Sequence, residues 1–422
     1  MTIILCLFIA FFVGVPICFA LGIVSIGSLI ASGMPLIVTV QRMFTGGDSI
    51  ALIAIPLFML SGELMFRGGM SKRLVDFADT LLGHFPSGLA MVSILACMFF
   101  AAITGSAIAA TAAIGGIMIP LMKERGYEYT FSAPLLACGG SIGPIIPPSI
   151  PLLVYGVLAS VSVADLYVGG VIPGILMGLC CMVVAFIGAK KAGMKATGFD
   201  RSQSVLKTVW DAVPSLLLIV IVIGGIVSGV FTATEGAGIA VLYCLILSII
   251  YKSIDFKGFL GILLNSAKTS GIILFLISAS SAMSFVMAYS GIPAAISNGL
   301  MSLTDNKYII FLLMNIILLV IGMFMDITPA VLIFTPIFLP IAISFGMTEI
   351  QFGVMLIFNM CMGNITPPVG SVLFVGCGIS KISIEEVTKT LLPYFAVLLL
   401  LLLAVTYIPA LSLGIPSMMG LL

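Results

Sequence analysis

Ser141-Ile142-Gly143-Pro144-Ile145-Ile146-Pro147-Pro148 interrupts one apolar run, and 220 residues later Cys361-Met362-Gly363-Asn364-Ile365-Thr366-Pro367-Pro368 interrupts another with the same Gly-x-x-x-Pro-Pro spacing. Each Pro removes a backbone donor and Gly weakens a helix interior, so neither run continues as one helix through these positions. In hydrocarbon the freed N–H and C=O groups find no water, and irregular backbone survives there only where protein or a hydrated cavity covers it. A pair of interrupted helices at corresponding positions of two halves therefore points to a transporter's binding site.

The surrounding chain places these breaks in a membrane. Its 422 residues are 61% hydrophobic and 8% charged, with a mean hydropathy of +1.33, whereas a soluble domain carries about 25% charged residues. The composition excludes a soluble globule and implies an all-α polytopic membrane protein. A net charge of +1 offers no basic face for nucleic acid. The lone His84 and nine scattered cysteines, only Cys180 and Cys181 adjacent, offer no metal-ligand cluster. Cysteines and methionines read as apolar filler, and no nucleotide-binding loop or organic-cofactor motif is present. Residues 1 to 31 lack a basic n-region and have too long an apolar run for a signal-peptide core, so they read as an uncleaved first span.

Apolar runs give further spans near 50–66, 131–160, 166–189, 212–230, 236–251, 271–289, 350–380 and 391–415. Segments 88–122 and 308–345 are too long for one crossing of about 20 residues and marginal for two. Each is polar at its middle, at Thr104-Gly105-Ser106 and at Asp326-Ile327-Thr328-Pro329. Re-entrant helical hairpins fit them best. Segments 67–87 and 290–307 precede the hairpins and read as interfacial arm helices.

Basic residues gather on the cytoplasmic side of a membrane protein. With a cytoplasmic N-terminus, 15 of 17 basic residues, including Arg67, Lys72, Arg73, Lys195 and Arg201, fall inside, leaving Arg42 and Lys307 outside. Between 102–165 and 322–385 an ungapped offset of 220 gives twelve identities, against roughly five by chance. They include Pro120/Pro340, Gly143/Gly363, Pro147/Pro367, Gly156/Gly376 and Ser160/Ser380. Opposite orientations of the two copies make an inverted repeat about an axis in the membrane plane. Span 212–230 has no partner in the first half; it flips the second copy, and its missing counterpart points to a separate subunit.

Each interruption leaves one half-helix ending in carbonyls and the next beginning in free N–H groups, suited to cations and carboxylates respectively. Around these ends stand Thr104, Ser106, Ser141, Gly143 and Pro144 in the first copy, and Asp326, Thr328, Gly363, Asn364 and Thr366 in the second. Hydroxyl, amide, carboxylate and carbonyl oxygens without thiolate or imidazole are the ligand set of a hard cation, so two Na⁺ sites are expected. A substrate carboxylate is expected at the half-helix starts of Ser106 and Ser149, near Pro147, Thr328 and Pro367. The competing reading makes Ser106, Asp326 and Thr328 helix caps and the prolines mere kinks. Asp326 resists it best, since an intramembrane acid is expensive and usually functional. Glu235 is a weaker candidate that caps a helix or faces water, and Glu63 with Arg67 forms an i,i+4 pair.

Gly143-Pro144-Ile145-Ile146-Pro147-Pro148-Ser149, Phe231-Thr232-Ala233-Thr234-Glu235 and Gly363-Asn364-Ile365-Thr366-Pro367-Pro368-Val369-Gly370 resemble the large membrane subunit of tripartite ATP-independent periplasmic (TRAP) transporters, a likeness running along nearly the whole chain. The resemblance implies a multi-pass protein of the bacterial inner membrane. It works with a small four-helix membrane subunit and a periplasmic substrate-binding protein, and takes up an organic acid such as a C4-dicarboxylate or sialic acid with Na⁺. It further implies an elevator mechanism. Hairpin-plus-broken-helix units 88–165 and 308–385 then slide against a scaffold of 1–87 and 166–307, with 386–422 as a last span. A stand-alone sodium-coupled anion transporter of the same architecture is the alternative. An intramembrane enzyme lacks the paired acids or dyad it needs, and a passive channel would give flux that neither saturates nor follows sodium.

Overall fold

A computed structural model describes residues 2–85, 87–193, 205–304 and 306–421. Lys195 and Arg201, counted above on the inner face, lie outside them. Among the described residues every regular element is helical, and eight helices are long and apolar enough to cross a membrane.

The four decisive irregularities fall where glycine and proline place them. The segment 88–122 is a helical hairpin, Gly88–Thr104 and Ala107–Glu124, turning at Gly105 and Ser106. Its counterpart comprises Lys307–Gly322 and Ile327–Ser344. The first broken helix is Tyr129–Gly140 followed by Ile150–Ala159, and the second is Glu349–Gly363 followed by Ser371–Ser380. Both tandem-proline bonds, Pro147-Pro148 and Pro367-Pro368, are cis. Helices Met70–Leu82 and Ile292–Leu303 precede the hairpins, and Val163–Lys191 and Ile384–Tyr407 follow the broken helices.

The two copies interlock reciprocally. Ala107–Glu124 packs on Ser371–Ser380 while Ile327–Ser344 packs on Ile150–Ala159. Val163–Lys191 packs on Glu349–Gly363 while Ile384–Tyr407 packs on Tyr129–Gly140. Such an exchange of partners is what an approximate two-fold between the copies generates. Contacts at glycine bring the broken helices close: a Cβ at Gly376 would lie 2.9 Å from the carbonyl oxygen of Ala133, and one at Gly353 would meet the Tyr155 ring at 2.3 Å. Burial follows this centre. In Ile327–Ser344 72% of the apolar window is inside the protein, against 28% for the unpaired Val205–Val227, which lies at the periphery.

Several spans differ from the hydropathy reading. The expected first span over 3–31 divides into Thr2–Phe12 and Ile17–Ala31, because Pro16 cannot donate into the preceding turn. The expected span 391–415 divides at Ile408 and Pro409 for the same reason. Ile37–Gly47 is a helix in the interval left between the first two expected spans; it packs on Phe256–Tyr289, with the Arg42 guanidinium 4.2 Å from the Phe285 ring centre. Phe256–Tyr289 itself runs 34 residues, well beyond the expected 271–289.

Candidate functional site

Each hairpin tip meets the break of its own copy. In the first, a left-handed Gly105 (φ +59°) ends one arm. A Cβ there would lie 2.5 Å from the Pro148 carbonyl oxygen and 3.1 Å from the Ser149 Cα, so only glycine permits the approach. Gly143 also approaches Ser106, with 3.2 Å between a would-be Cβ and the Ser106 carbonyl oxygen. Ser106 caps its helix by accepting from the Ala109 N–H at 3.4 Å, and Ser149 caps the second half-helix by accepting from Leu152 at 3.1 Å while donating to the Pro144 carbonyl. The Tyr167 hydroxyl donates to the Ser149 carbonyl at 3.3 Å. Two capped N-termini thus converge, the arrangement that receives an anion.

The second cluster uses the same backbone design with different chemistry. A Cβ on Gly322 would lie 3.0 Å from the Gly363 Cα and one on Gly363 2.5 Å from the Gly322 Cα, leaving no room for a side chain on either. Asp326 occupies the N-cap position of its helix but makes no side-chain cap bond. Its Oδ1 accepts instead from Asn364 Nδ2 at 2.8 Å and from Ser371 Oγ at 3.5 Å, tying the hairpin tip to both halves of the broken helix. The Asn364 carbonyl caps the second half by accepting from Val372 at 3.1 Å and Leu373 at 3.4 Å, and Gly370 donates to the Met323 carbonyl at 3.2 Å. Asn364 Oδ1 is buried with no donor among the described residues. A carboxylate beside an undonated amide oxygen is a set of hard acceptors, the chemistry that suits a hard cation.

The remaining hydroxyls line the same two places. Thr104 donates to Phe100 O at 3.2 Å, Ser141 to Cys138 O at 2.8 Å and Thr366 to Met362 O at 2.6 Å. Each has its hydrogen turned back into its helix, which leaves oxygen lone pairs for a metal ion. Thr328 is buried in the first turn after Asp326. Thr104, Ser106, Ser141, Gly143, Pro144, Pro147 and Ser149 form one group, and Asp326, Thr328, Gly363, Asn364, Thr366 and Pro367 the other. Among the described residues no hydrogen bond joins the groups directly. Gly322 and Ser371 were missed: at the fixed offset Gly322 aligns with Ala102, and Ser371 with Pro151.

Two other candidates have structural roles. Glu235 Oε2 accepts from the Thr232 N–H at 2.8 Å, completing a capping box. Arg67 and Glu63 pair at 3.6 Å, as their spacing predicts.

The class of protein follows from the fold. It aligns with the solved structure of the Alcanivorax borkumensis YdaH transporter at TM-score 0.57 and 13% identity, over 90% of this chain and 86% of that one. The shared fold is that of a polytopic, all-helical membrane protein. Sequence comparison gives the family. The profile of the tripartite ATP-independent periplasmic transporter, DctM component, matches residues 4–411, and the chain belongs to that family. It is 41% identical to the isethionate TRAP transporter permease protein DctMQ of Oleidesulfovibrio alaskensis, over 94% of this chain and 63% of that protein. It is 34% identical to the C4-dicarboxylate TRAP transporter large permease DctM of Rhodobacter capsulatus, over 97% and 96%. The chain is therefore a multi-pass membrane permease of the TRAP type and not an enzyme.

Proposed function

We propose that the chain takes up an organic acid by sodium-coupled secondary transport, the cargo being handed over by a periplasmic binding protein and the permease being completed by a small four-helix membrane subunit. What supports this reading most is Asp326, a carboxylate within a predominantly apolar chain that bonds sideways to Asn364 and Ser371 beside an undonated amide oxygen. Na⁺ fits that donor set, and would be held by Asp326, Thr328, Asn364, Thr366 and the Gly363 carbonyl. A second Na⁺ fits among Thr104, Ser106, Ser141, Gly143 and Pro144. The cargo's acid group is assigned to the Ser106 and Ser149 helix starts, with Pro147, Thr328 and Pro367 around it. Relatives named for isethionate and C4-dicarboxylate support an anionic organic cargo, and the DctMQ name supports a second membrane component.

In this reading the hairpin-plus-broken-helix units 88–165 and 308–385 move as one body, re-entrant from opposite sides, against a scaffold. Their reciprocal packing favours including Val163–Lys191 and Ile384–Tyr407 in the moving body. The basic-residue asymmetry favours a cytoplasmic N-terminus in the bacterial inner membrane. Two net positive charges moving inward through 100 mV supply about 4.6 kcal/mol, a concentration ratio above about a thousandfold.

Reconstitution with both partner components in liposomes tests the reading. Asp326→Asn keeps the side chain's shape but removes its charge. It is expected to raise the sodium concentration for half-maximal uptake by about tenfold or more, the loss of one charge-assisted contact. Unchanged sodium dependence would remove Asp326 from the site.

A further inference from the structure

A cavity of about 270 Å³, remote from both breaks in sequence, lies where helix Ala54–Arg67 passes through Gly68 and Gly69 into the arm helix Met70–Leu82. Its walls carry Lys72, Arg73, Asp76, Asp211 and Tyr251. Tyr251 directly follows the apolar helix Ala233–Ile250, and Asp211 lies in the second turn of Val205–Val227, so the cavity is at the ends of membrane spans. Beside Asp211, Trp210 is 73% exposed. An outward-facing tryptophan near a helix end marks the level of lipid headgroups.

Two cations and two carboxylates line this small space, yet among the described residues none of them makes an ion pair; the bridge found is Arg67–Glu63. The Arg73 guanidinium is held 3.3 Å from the centre of the Tyr251 ring, a contact that orients the charge without neutralising it. Burial pushes the Asp76 carboxyl above its ordinary range; Lys72 and Arg73 oppose that rise and Asp211 adds to it. Each carboxylate and each cation of the cavity thus keeps its capacity for a direct partner of opposite sign. A guest bearing both signs answers both needs.

We infer that this cavity binds the headgroup of a zwitterionic aminophospholipid, its phosphate on Lys72 and Arg73 and its primary ammonium on Asp76 and Asp211. The occupied site bridges the arm helix to Val205–Val227. It adds a second tie at the Gly68–Gly69 link, where Ser253 Oγ already donates to the Gly68 carbonyl at 2.9 Å. Lipid composition then sets how firmly the first arm is held.

The test is native mass spectrometry of the full chain after incubation with equimolar phosphatidylethanolamine, phosphatidylcholine and phosphatidylglycerol. Phosphatidylethanolamine is expected to be retained preferentially, because choline lacks N–H donors and glycerol lacks the cation. Lys72→Gln and Asp211→Asn, both at exposed positions and so safe for folding, are each expected to reduce that preference about fivefold. Equal retention of the three lipids by the unmodified chain overturns the proposal, as does a preference that both variants keep. A melting temperature raised by free phosphoethanolamine, with no selectivity among lipids, assigns the cavity to a soluble zwitterion and overturns the lipid source.

Discussion

The two breaks share a backbone and differ in chemistry. At the fixed offset, Ser106 of the first copy becomes Asp326, Pro144 becomes Asn364, Ile146 becomes Thr366 and Pro151 becomes Ser371. The first break therefore holds two serines that cap their own helices, and the second a carboxylate that leaves its helix uncapped and bonds across the gap. Their surroundings differ too. Residues 141–150 are buried apart from a half-buried Ile146, and Thr104 lies against Gly62 of the helix Ala54–Arg67. At the second break Phe324, Pro368 and Val369 are exposed. A repeat fixes where half-helices meet, and substitutions at equivalent positions decide what they hold. In this structure the first break is sealed and the second is partly open.

The sharpest way to break the comparison is to test the shared backbone. A Cβ on Gly363 would sit 2.5 Å from the Gly322 Cα, where neither backbone can yield, whereas on Gly143 the tightest approach is 3.2 Å. Gly363→Ala is expected to cost more than about 3 kcal/mol, beyond the usual overpacking penalty. Gly143→Ala should lie within it, at about 1–2 kcal/mol. Thermal melting of the purified chain measures both; equal shifts would show that the second tip is not held by this glycine contact.

A smaller effect comes from polar fastening present in one copy alone. Asn315 donates to Thr406 Oγ1 at 3.0 Å and accepts from Asn359 at 2.9 Å, while Gln351 donates to the Thr406 carbonyl at 2.9 Å. These bonds join the second hairpin to its broken helix and to Ile384–Tyr407. The first copy has Leu95, Gly139 and Phe131 at the matching positions. Asn315→Leu makes the copies alike here and leaves Asn359 short of a partner. A loss of about 1–2 kcal/mol is expected, near the upper end for hydrogen bonds between membrane helices. An unchanged melting temperature would show that apolar packing alone holds the second hairpin.

What could be read in the sequence follows the range of the forces involved. The breaks at Gly143 and Gly363 and the hairpin turns at Gly105 and Asp326 were legible because glycine, proline and capping residues act within a few positions. The division at Pro16 was hidden because hydropathy does not fall there. Helix Ile37–Gly47 was hidden because its stability is tertiary: Arg42 looks like loop chemistry until Phe285 covers it. At the site, the residue types around each break were readable, but Gly322 against Gly363 and Ser371 beside Asp326 required three dimensions. So did the distinction between serines that cap and an aspartate that does not.

That last distinction yields the smallest and most discriminating prediction. Ser106 and Ser149 each satisfy one orphan N–H, at 3.4 and 3.1 Å, and the longer contact is the weaker bond. Ser106→Ala should cost about 0.5 kcal/mol of stability, and Ser149→Ala about 1 kcal/mol or more because it also loses the bond to Pro144. If the two helix starts receive the cargo's acid group, both substitutions also raise the cargo concentration for half-maximal uptake, by about fivefold; Ser106→Ala, at a residue that also belongs to the proposed second Na⁺ group, shifts sodium dependence as well, whereas Ser149→Ala leaves it unchanged. Asp326→Asn shows the opposite pattern, moving sodium and sparing cargo. Uptake measured against both gradients separates the cases. If Ser106→Ala moved cargo alone, the first break would hold no cation at Ser106; if Ser149→Ala shifted sodium, the separation of cargo and cation within that break would fall.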